Sequence, residues 1–282
     1  MPLNRLFATS PPPHPPLPTG IRPLIQSYGE WPQAVDAAAL LAPVREDAAW
    51  LACTLRMAQA PSLEAALDQL GLARLRNLAL AAALVTMWPP HDPPAQGTFW
   101  RYGLETASAA AWLAEVVEED EDLAFAVGLL HGIGHPVLHA AWPQAVAQLN
   151  TQVHPLALQR IEAETAALGV HHAQVSAELA RRWGFADTVA EPLAWVHHPQ
   201  EGGRWCVLAA IAHLAAWRVR VDLLAWAPEQ AQATCPVALS RVLGIPLAWC
   251  RQRATLTSSA EALMPPMPAP AELGRALVQA LA

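Results

Sequence analysis

The sequence predicts an all-α protein of two packed helical subdomains. Three observations carry this. No segment alternates apolar and polar residues over strand-length runs bounded by turn signals. Apolar residues instead recur at three- and four-residue spacing along most of the chain. And the run Pro89-Pro90-His91-Asp92-Pro93-Pro94 divides that pattern in two, because proline has no backbone N–H and stops the preceding helix. With 282 residues, 54% of them hydrophobic, the chain is far from a disordered composition and can bury a sizeable core.

Residues 1–15 read as a loose, Pro-rich leader. The N-terminal subdomain, 16–90, opens a helix at Gly20-Ile21-Arg22-Pro23, with Leu24 and Ile25 as apolar anchors. A second helix over 34–41 ends at Pro43. A third over 47–58 carries Trp50, Leu51, Thr54, Leu55 and Ala58 on one stripe. Ser62 suits an N-cap for 63–70 and Gly71 its C-cap. The almost wholly apolar stretch 73–88 then predicts a buried helix. The second subdomain, 97–226, predicts helices over 99–117, 121–130, 136–141, 143–151, 156–168, 172–183, 188–197 and 205–226. A helical tail, 227–282, adds short helices over 237–243 and 271–281. The acidic run Glu118 to Asp122 reads as a solvated turn, and Arg74, Arg76, Arg181 and Arg182 as solvated charges.

Net charge is −7, which argues against a broad nucleic-acid surface. All 17 basic residues are Arg, so no Lys is present for Schiff-base or P-loop chemistry. No glycine-rich phosphate loop and no nucleophile-elbow motif occurs. Cys53, Cys206, Cys235 and Cys250 are widely spaced and suit reduced thiols. The N-terminus lacks the apolar run of a signal peptide, and the longest apolar run, 78–88, is about half of what a membrane span needs. The expectation is a soluble cytoplasmic protein without a membrane partner.

The most informative stretch is 123–139, LAFAVGLLHGIGHPVLH, in which an apolar helix runs into a His-Gly-Ile-Gly-His turn. Ala126-Val127-Gly128-Leu129-Leu130-His131-Gly132-Ile133-Gly134 resembles the Ala-Gly-Leu-Leu-His-Asp-Ile-Gly segment of the HDOD domain family, a branch of the HD metal-phosphohydrolase superfamily. Trp100-Arg101-Tyr102-Gly103-Leu104 resembles that family's Trp-x-His-Ser-Leu helix start. Leu168-Gly169-Val170-His171-His172 resembles its Gly-Val-x-His turn. Arg182-Trp183-Gly184-Phe185 and Trp195-Val196-His197-His198 follow in the same order, and Ala66-Leu67-Asp68-Gln69-Leu70-Gly71 matches in the first block. The resemblance spans roughly 16–226, as one HDOD module.

This resemblance implies a non-catalytic bacterial signal-transduction module that binds a protein partner or a small signal. The alternatives are a metal-dependent phosphohydrolase or phosphodiesterase with an unusual His-rich site, and a cyclic-dinucleotide sensor. Carried over residue by residue, the superfamily's first His falls at Tyr102, its His-Asp pair at His131 and Gly132, and its final Asp near His213. The phosphodiesterase branch adds ligands near His172, His197 and His198, with Glu164 a weaker addition. Gly132 has no side chain, and a protonated Tyr hydroxyl is a poor ligand. Hard ions such as Mg²⁺ and Mn²⁺ favour oxygen donors. No catalytic residue and no cofactor is therefore expected, with one soft divalent ion the most the remnant would hold. Individually, His131 reads as a core histidine bonded to a carbonyl, His135 as a helix cap, His197-His198 as a helix end, and His139 and His154 as surface residues. Exposed Trp or Arg on the N-terminal block would complete a binding surface.

Overall fold

The computed structural model describes residues 2–8, 12–28, 36–88, 93–200 and 205–246. Among these, helices account for all regular structure: α1 Pro2–Phe7, α2 Arg22–Gln26, α3 Ala37–Glu46, α4 Ala48–Ala58, α5 Leu63–Met87, α6 Pro93–Val116, α7 Glu121–Leu130, α8 Gly134–Ala141, α9 Pro143–Gln152, α10 Arg160–Leu168, α11 His172–Trp183, α12 Asp187–Trp195, α13 Val207–Leu223, α14 Pro228–Thr234 and α15 Val237–Val242. The all-α reading holds. The predicted tail helix over 271–281, Cys250, and Pro89 to Asp92 lie outside the described residues.

Side-chain caps set several starts. Asp36 accepts from Ala38 N, Asp47 from Ala49 N and Trp50 N, Ser62 from Ala65 N, and Asp120 from Leu123 N, each meeting a donor the first turn leaves unpaired. Of two interruptions read from the sequence, one differs from expectation and one does not. Pro43 lies inside α3 rather than ending it, since its last turn lacks only the one hydrogen bond that proline cannot donate. At Gly71, φ is +75° and ψ 165°, so the first arm of α5 stops there as expected and a second helical arm follows it.

The leader is not loose. In α1, Leu6 and Phe7 are buried, and Phe7 lies under the Arg182 guanidinium with 4.5 Å from Cζ to the ring centroid. Apolar burial anchors this short helix where composition alone suggested none.

One core cluster runs from Leu6 to Ala212 and so joins the N-terminal helices to α6–α8 and α11–α13. A second packs Trp112, Leu113 and Ala114 of α6 against Ile211, Trp217 and Val219 of α13, with Trp226 and Ile245 closing it. A polar clamp also ties the two blocks. Arg76, 1% exposed, reaches Asp122 at 2.7 Å, donates to Ser27 O at 2.9 Å and lies 4.1 Å from the centroid of Tyr28, whose hydroxyl donates to Asn77 at 2.6 Å. Arg76 is thus a buried structural cation, not the solvated charge expected, and Asp122 is its counterion rather than part of a free turn. Arg181 and Arg182 are largely exposed, as expected. Trp50 and Trp88 are buried, so of the exposed Trp or Arg expected on the N-terminal block the described residues supply Arg, at Arg22, Arg45 and Arg56, while Trp205, at 42%, is exposed on the other block.

Two segments, Leu63–Met87 and Glu121–Ala141, are long and apolar enough to cross a membrane, more than the sequence suggested, but 61% and 72% of their apolar windows are buried within the protein. Their apolarity is what the core itself uses.

Candidate functional site: a satisfied histidine network beside an orphaned polar cluster

The turn after α7 carries the site. His131 ends that helix with its Nδ1 2.6 Å from Gly128 O. A carbonyl only accepts, so Nδ1 carries the proton and Nε2 presents a lone pair. Ser176 of α11 clamps the turn, donating to His131 O at 3.1 Å and accepting from Gly134 N at 2.9 Å. A Cβ at Gly134 would collide with the His172 backbone, so glycine permits this approach of α8 to α11. At Gly132 a Cβ would meet the Phe99 ring at 3.4 Å. That ring covers the side on which a carboxylate would project.

The first cluster centres on Glu164 of α10, which is fully buried. Its Oε1 accepts from Arg160 Nε at 2.8 Å and lies 3.2 Å from His135 Nδ1. Its Oε2 accepts from the His172 backbone N at 2.8 Å and lies 2.7 Å from His172 Nδ1. His135 and His172 stack with centroids 3.8 Å apart and planes at 22°. Arg160 also donates to Val153 O at 2.8 Å. Burial pushes the Glu164 carboxyl upward, but the His172 and His135 imidazoles and their hydrogen bonds more than reverse this and hold it below the carboxylate range. His172 is pushed down to about 3, chiefly by burial and by His135, against the pull of Glu164. Its Nδ1–H points at the carboxylate, and its Nε2 faces His197 Nε2 at 3.0 Å.

His135, Glu164 and His172 bring one ligand atom each within 4.8 Å of one another. Four donors already engage this carboxylate, so a cation there would have to displace Arg160. His135 is part of this network, not the helix cap expected. Glu162, two residues earlier on α10, is exposed and points away from the histidines that Glu164 meets.

The second cluster lies where α6, the end of α7, and α13 meet. Tyr102 and Thr106 are one turn apart on α6; His213 and Arg220 are two turns apart on one face of α13. The Tyr102 ring packs edge-on against His131 at 5.0 Å, and Arg220 Cζ lies 5.5 Å from the Tyr102 centroid. His213 Nδ1 is 2.7 Å from Val196 O, which leaves its Nε2 as a lone pair too. Tyr102 Oη, Thr106 Oγ1, His131 Nε2 and Arg220 Nε are buried and have no hydrogen-bond partner among the described residues. Arg220 is 5% exposed. Burial lowers His131 to about 3 and His213 to about 4, with the Arg220 charge adding to both; it also lowers His197 well below its ordinary value. Burial raises the Tyr102 hydroxyl, so it stays protonated.

The structure therefore gathers Tyr102, His131 and His213 about Arg220, and places His172 and His197 beside them. His198 is exposed at the margin, within electrostatic reach of His213 and His171, whereas His139 and His154 are exposed and stand apart. Sequence reasoning missed Arg220, Thr106 and Arg160. The seven-residue spacing of His213 and Arg220, and the four-residue spacing of Arg160 and Glu164, were the available signals.

The superfamily's metal cage does not fit these residues. The two buried carboxylates among those described are Glu164, already saturated, and Glu105, held by Arg101 at 2.7 Å. Neither stands where a bridging Asp would, and the Arg220 guanidinium lies within electrostatic reach of His131 and His213, two of the carried-over ligand positions.

Residues 52–199 match the family model of the HDOD domain. Among solved structures, a Shewanella amazonensis protein provisionally named a phosphohydrolase superposes with a TM-score of 0.73, at 23% identity over 95% of each chain. A Marinobacter aquaeolei protein provisionally named for signal transduction gives 0.68 at 20% identity, covering 95% of this chain and 60% of the other. A Geobacter sulfurreducens HDOD domain protein of unknown function gives 0.59 at 20% identity over 74% and 73%. No curated protein matches in sequence.

Proposed function

We propose, from the premise that this chain belongs to the HDOD domain family, that it is a regulatory signal-transduction module that works by binding and does not hydrolyse phosphoesters. The observation that supports this is the loss of every bridging carboxylate: Tyr102, Gly132 and His213 stand at three ligand positions, with the Phe99 ring over the glycine. A hydrolase of this type needs two ions held close enough to activate water and neutralise phosphate charge. Neutral imidazoles beside a guanidinium give hard divalent ions neither the oxygen donors nor the negative charge they require. The partner we favour is a signalling protein, with a small nucleotide as second choice; membrane and nucleic-acid partners are not part of the reading. Free thiols at Cys53, Cys206 and Cys235 agree with work in the cytoplasm.

A second reading has one observation in its favour. The Nε2 atoms of His172 and His197 sit 3.0 Å apart, and they could together receive a soft ion such as Zn²⁺ and serve an unusual hydrolase. One experiment separates the two: elemental analysis of protein purified without chelator, with a Mn²⁺- and Mg²⁺-supplemented assay on cyclic dinucleotides and nucleotide phosphoesters. Near-zero metal and no turnover is the expected result. Stoichiometric metal with turnover that His131→Ala abolishes would overturn the proposal.

A further inference from the structure

The polar cluster around Arg220 is a costly arrangement for a structural element. Each buried polar atom left without a partner costs about 1–3 kcal/mol, and four such atoms lie on α6, on α13 and at the end of α7. A buried cation without a counterion is costlier still. The other buried arginines of this fold are compensated: Arg76 by Asp122, Arg160 by Glu164 and Arg218 by Asp222. For Arg220 no acidic partner is found among the described residues. The groups whose charges act on it or its neighbours are the neutral histidines 131, 197 and 213 and the Tyr102 phenol. Glu105, the nearest buried carboxylate on α6, has its interactions with Arg101 and Asp222.

We propose that Arg220, Tyr102, Thr106 and His131, with His213 at the margin, form a binding site for a protonated phosphate group, inorganic or carried as a phosphomonoester, with the guanidinium supplying the positive charge. The inference rests on the non-catalytic reading above and names the small signal that such a module would sense. The donor and acceptor set selects the ligand. Arg220 Nε–H, Tyr102 O–H and Thr106 O–H approach from two helices as donors, which suits a tetrahedral oxyanion with several oxygens better than a planar carboxylate. The His131 Nε2 lone pair requires a donor. Hydrogen phosphate carries a P–O–H that meets it; sulfate at neutral pH carries none. The same residue that makes a cation unwelcome thus makes this anion fit, and the neighbouring His197 and His213 are partly exposed.

The test is calorimetric titration of inorganic phosphate, and separately of sulfate, into the full chain kept in chelator, with ¹⁵N spectra of the imidazoles recorded alongside. Saturable phosphate binding is expected, about tenfold or more tighter than sulfate, with the His131 Nε2 resonance shifting on saturation. Arg220→Gln should weaken phosphate about tenfold or more, and Tyr102→Phe and Thr106→Val about threefold each. If Arg220→Gln does not fold, the two near-isosteric variants carry the test. No saturable binding, equal affinity for sulfate, or binding untouched by all three variants would overturn the site. The two proposals fail separately. Arg220-dependent phosphate binding in chelator alongside metal-dependent turnover would leave this site standing and remove the non-catalytic reading. Phosphate bound only with a divalent ion, and equally in Arg220→Gln, would remove both.

Discussion

Two buried polar clusters flank the same histidines and are built on opposite terms. The Glu164 carboxylate meets Arg160, His135, the His172 ring and a backbone N–H, so every lone pair that faces a donor is used. The Arg220 guanidinium lies 5.5 Å from the centre of a phenol ring, and its own Nε, the Tyr102 hydroxyl and His131 Nε2 have no partner among the described residues. A satisfied network fixes a structure, here the docking of α10 on α11 and of the histidine turn on both. An unsatisfied one of the same size has to be justified by something other than the fold. The contrast separates the part of this site that is architecture from the part open to a ligand.

The largest effect should come from breaking the satisfied side. Glu164→Ala would leave Arg160 buried without its counterion and should cost about 3–5 kcal/mol, read as a lowered midpoint in urea or guanidinium unfolding. A loss below about 1 kcal/mol would mean that Arg160 finds water and that the network is not structural.

Acid should act on both sides. His131 and His172 have folded pKa values of about 3, far below the ordinary imidazole value, because burial disfavours their charged forms. The unfolded chain therefore binds more protons than the folded one between about pH 6.5 and pH 3, and stability falls as pH falls through that window. The contribution is complete above about pH 6.5. Each of the two should withdraw about 2 kcal/mol between pH 7 and pH 5. Glu164, held below its ordinary range, adds loss in the same direction at still lower pH. Thermal melts across pH 7.5 to 4.5 check this; a flat profile above pH 5 would show that these imidazoles are hydrated and protonate freely.

The fold was more legible in the sequence than the site. Helices α7 and α11 follow the expected ranges residue for residue because a cap, an apolar stripe and a stop signal agree at each. Gly71 was legible as a helix stop because it supplies the positive φ needed there. Pro43 was misread because propensity is local, while the packing that tolerates a proline inside a helix is not. His131, Tyr102 and Glu164 could be placed by motif order. Arg220 could not, since an arginine near the end of an apolar helix reads as a solvated terminal charge until α6 and α7 are seen to cover it. Arg76 was misread for the same reason. Whether a buried arginine has a counterion is a fact of tertiary structure.

That fact yields a sign difference between two arginines. Arg220→Met removes a buried charge with no partner and should leave stability unchanged or raise it by about 1–4 kcal/mol in phosphate-free buffer. Arg160→Met should lower it, since it strands Glu164. Equal losses in the two variants, compared by chemical denaturation, would show that Arg220 has a structural counterion and would erase the contrast.

The smallest and cleanest comparison uses the only two tyrosines of the chain. Both are 2% exposed or less, and each lies beside a buried arginine. Tyr28 donates its hydroxyl to Asn77 at 2.6 Å, whereas the Tyr102 hydroxyl has no partner. Replacing either by Phe keeps the ring, its apolar contacts and its position against the guanidinium, so the change reports the hydroxyl alone. Tyr28→Phe breaks a buried hydrogen bond and strands the Asn77 acceptor, for a cost of about 1–2 kcal/mol. Tyr102→Phe removes a hydroxyl that already bears its desolvation cost and should be neutral, or stabilising by up to about 1 kcal/mol. Unfolding midpoints measured in phosphate-free buffer decide between these values, and adding phosphate should selectively stabilise the wild type over Tyr102→Phe, because only a hydroxyl that waits for a ligand gains from its arrival.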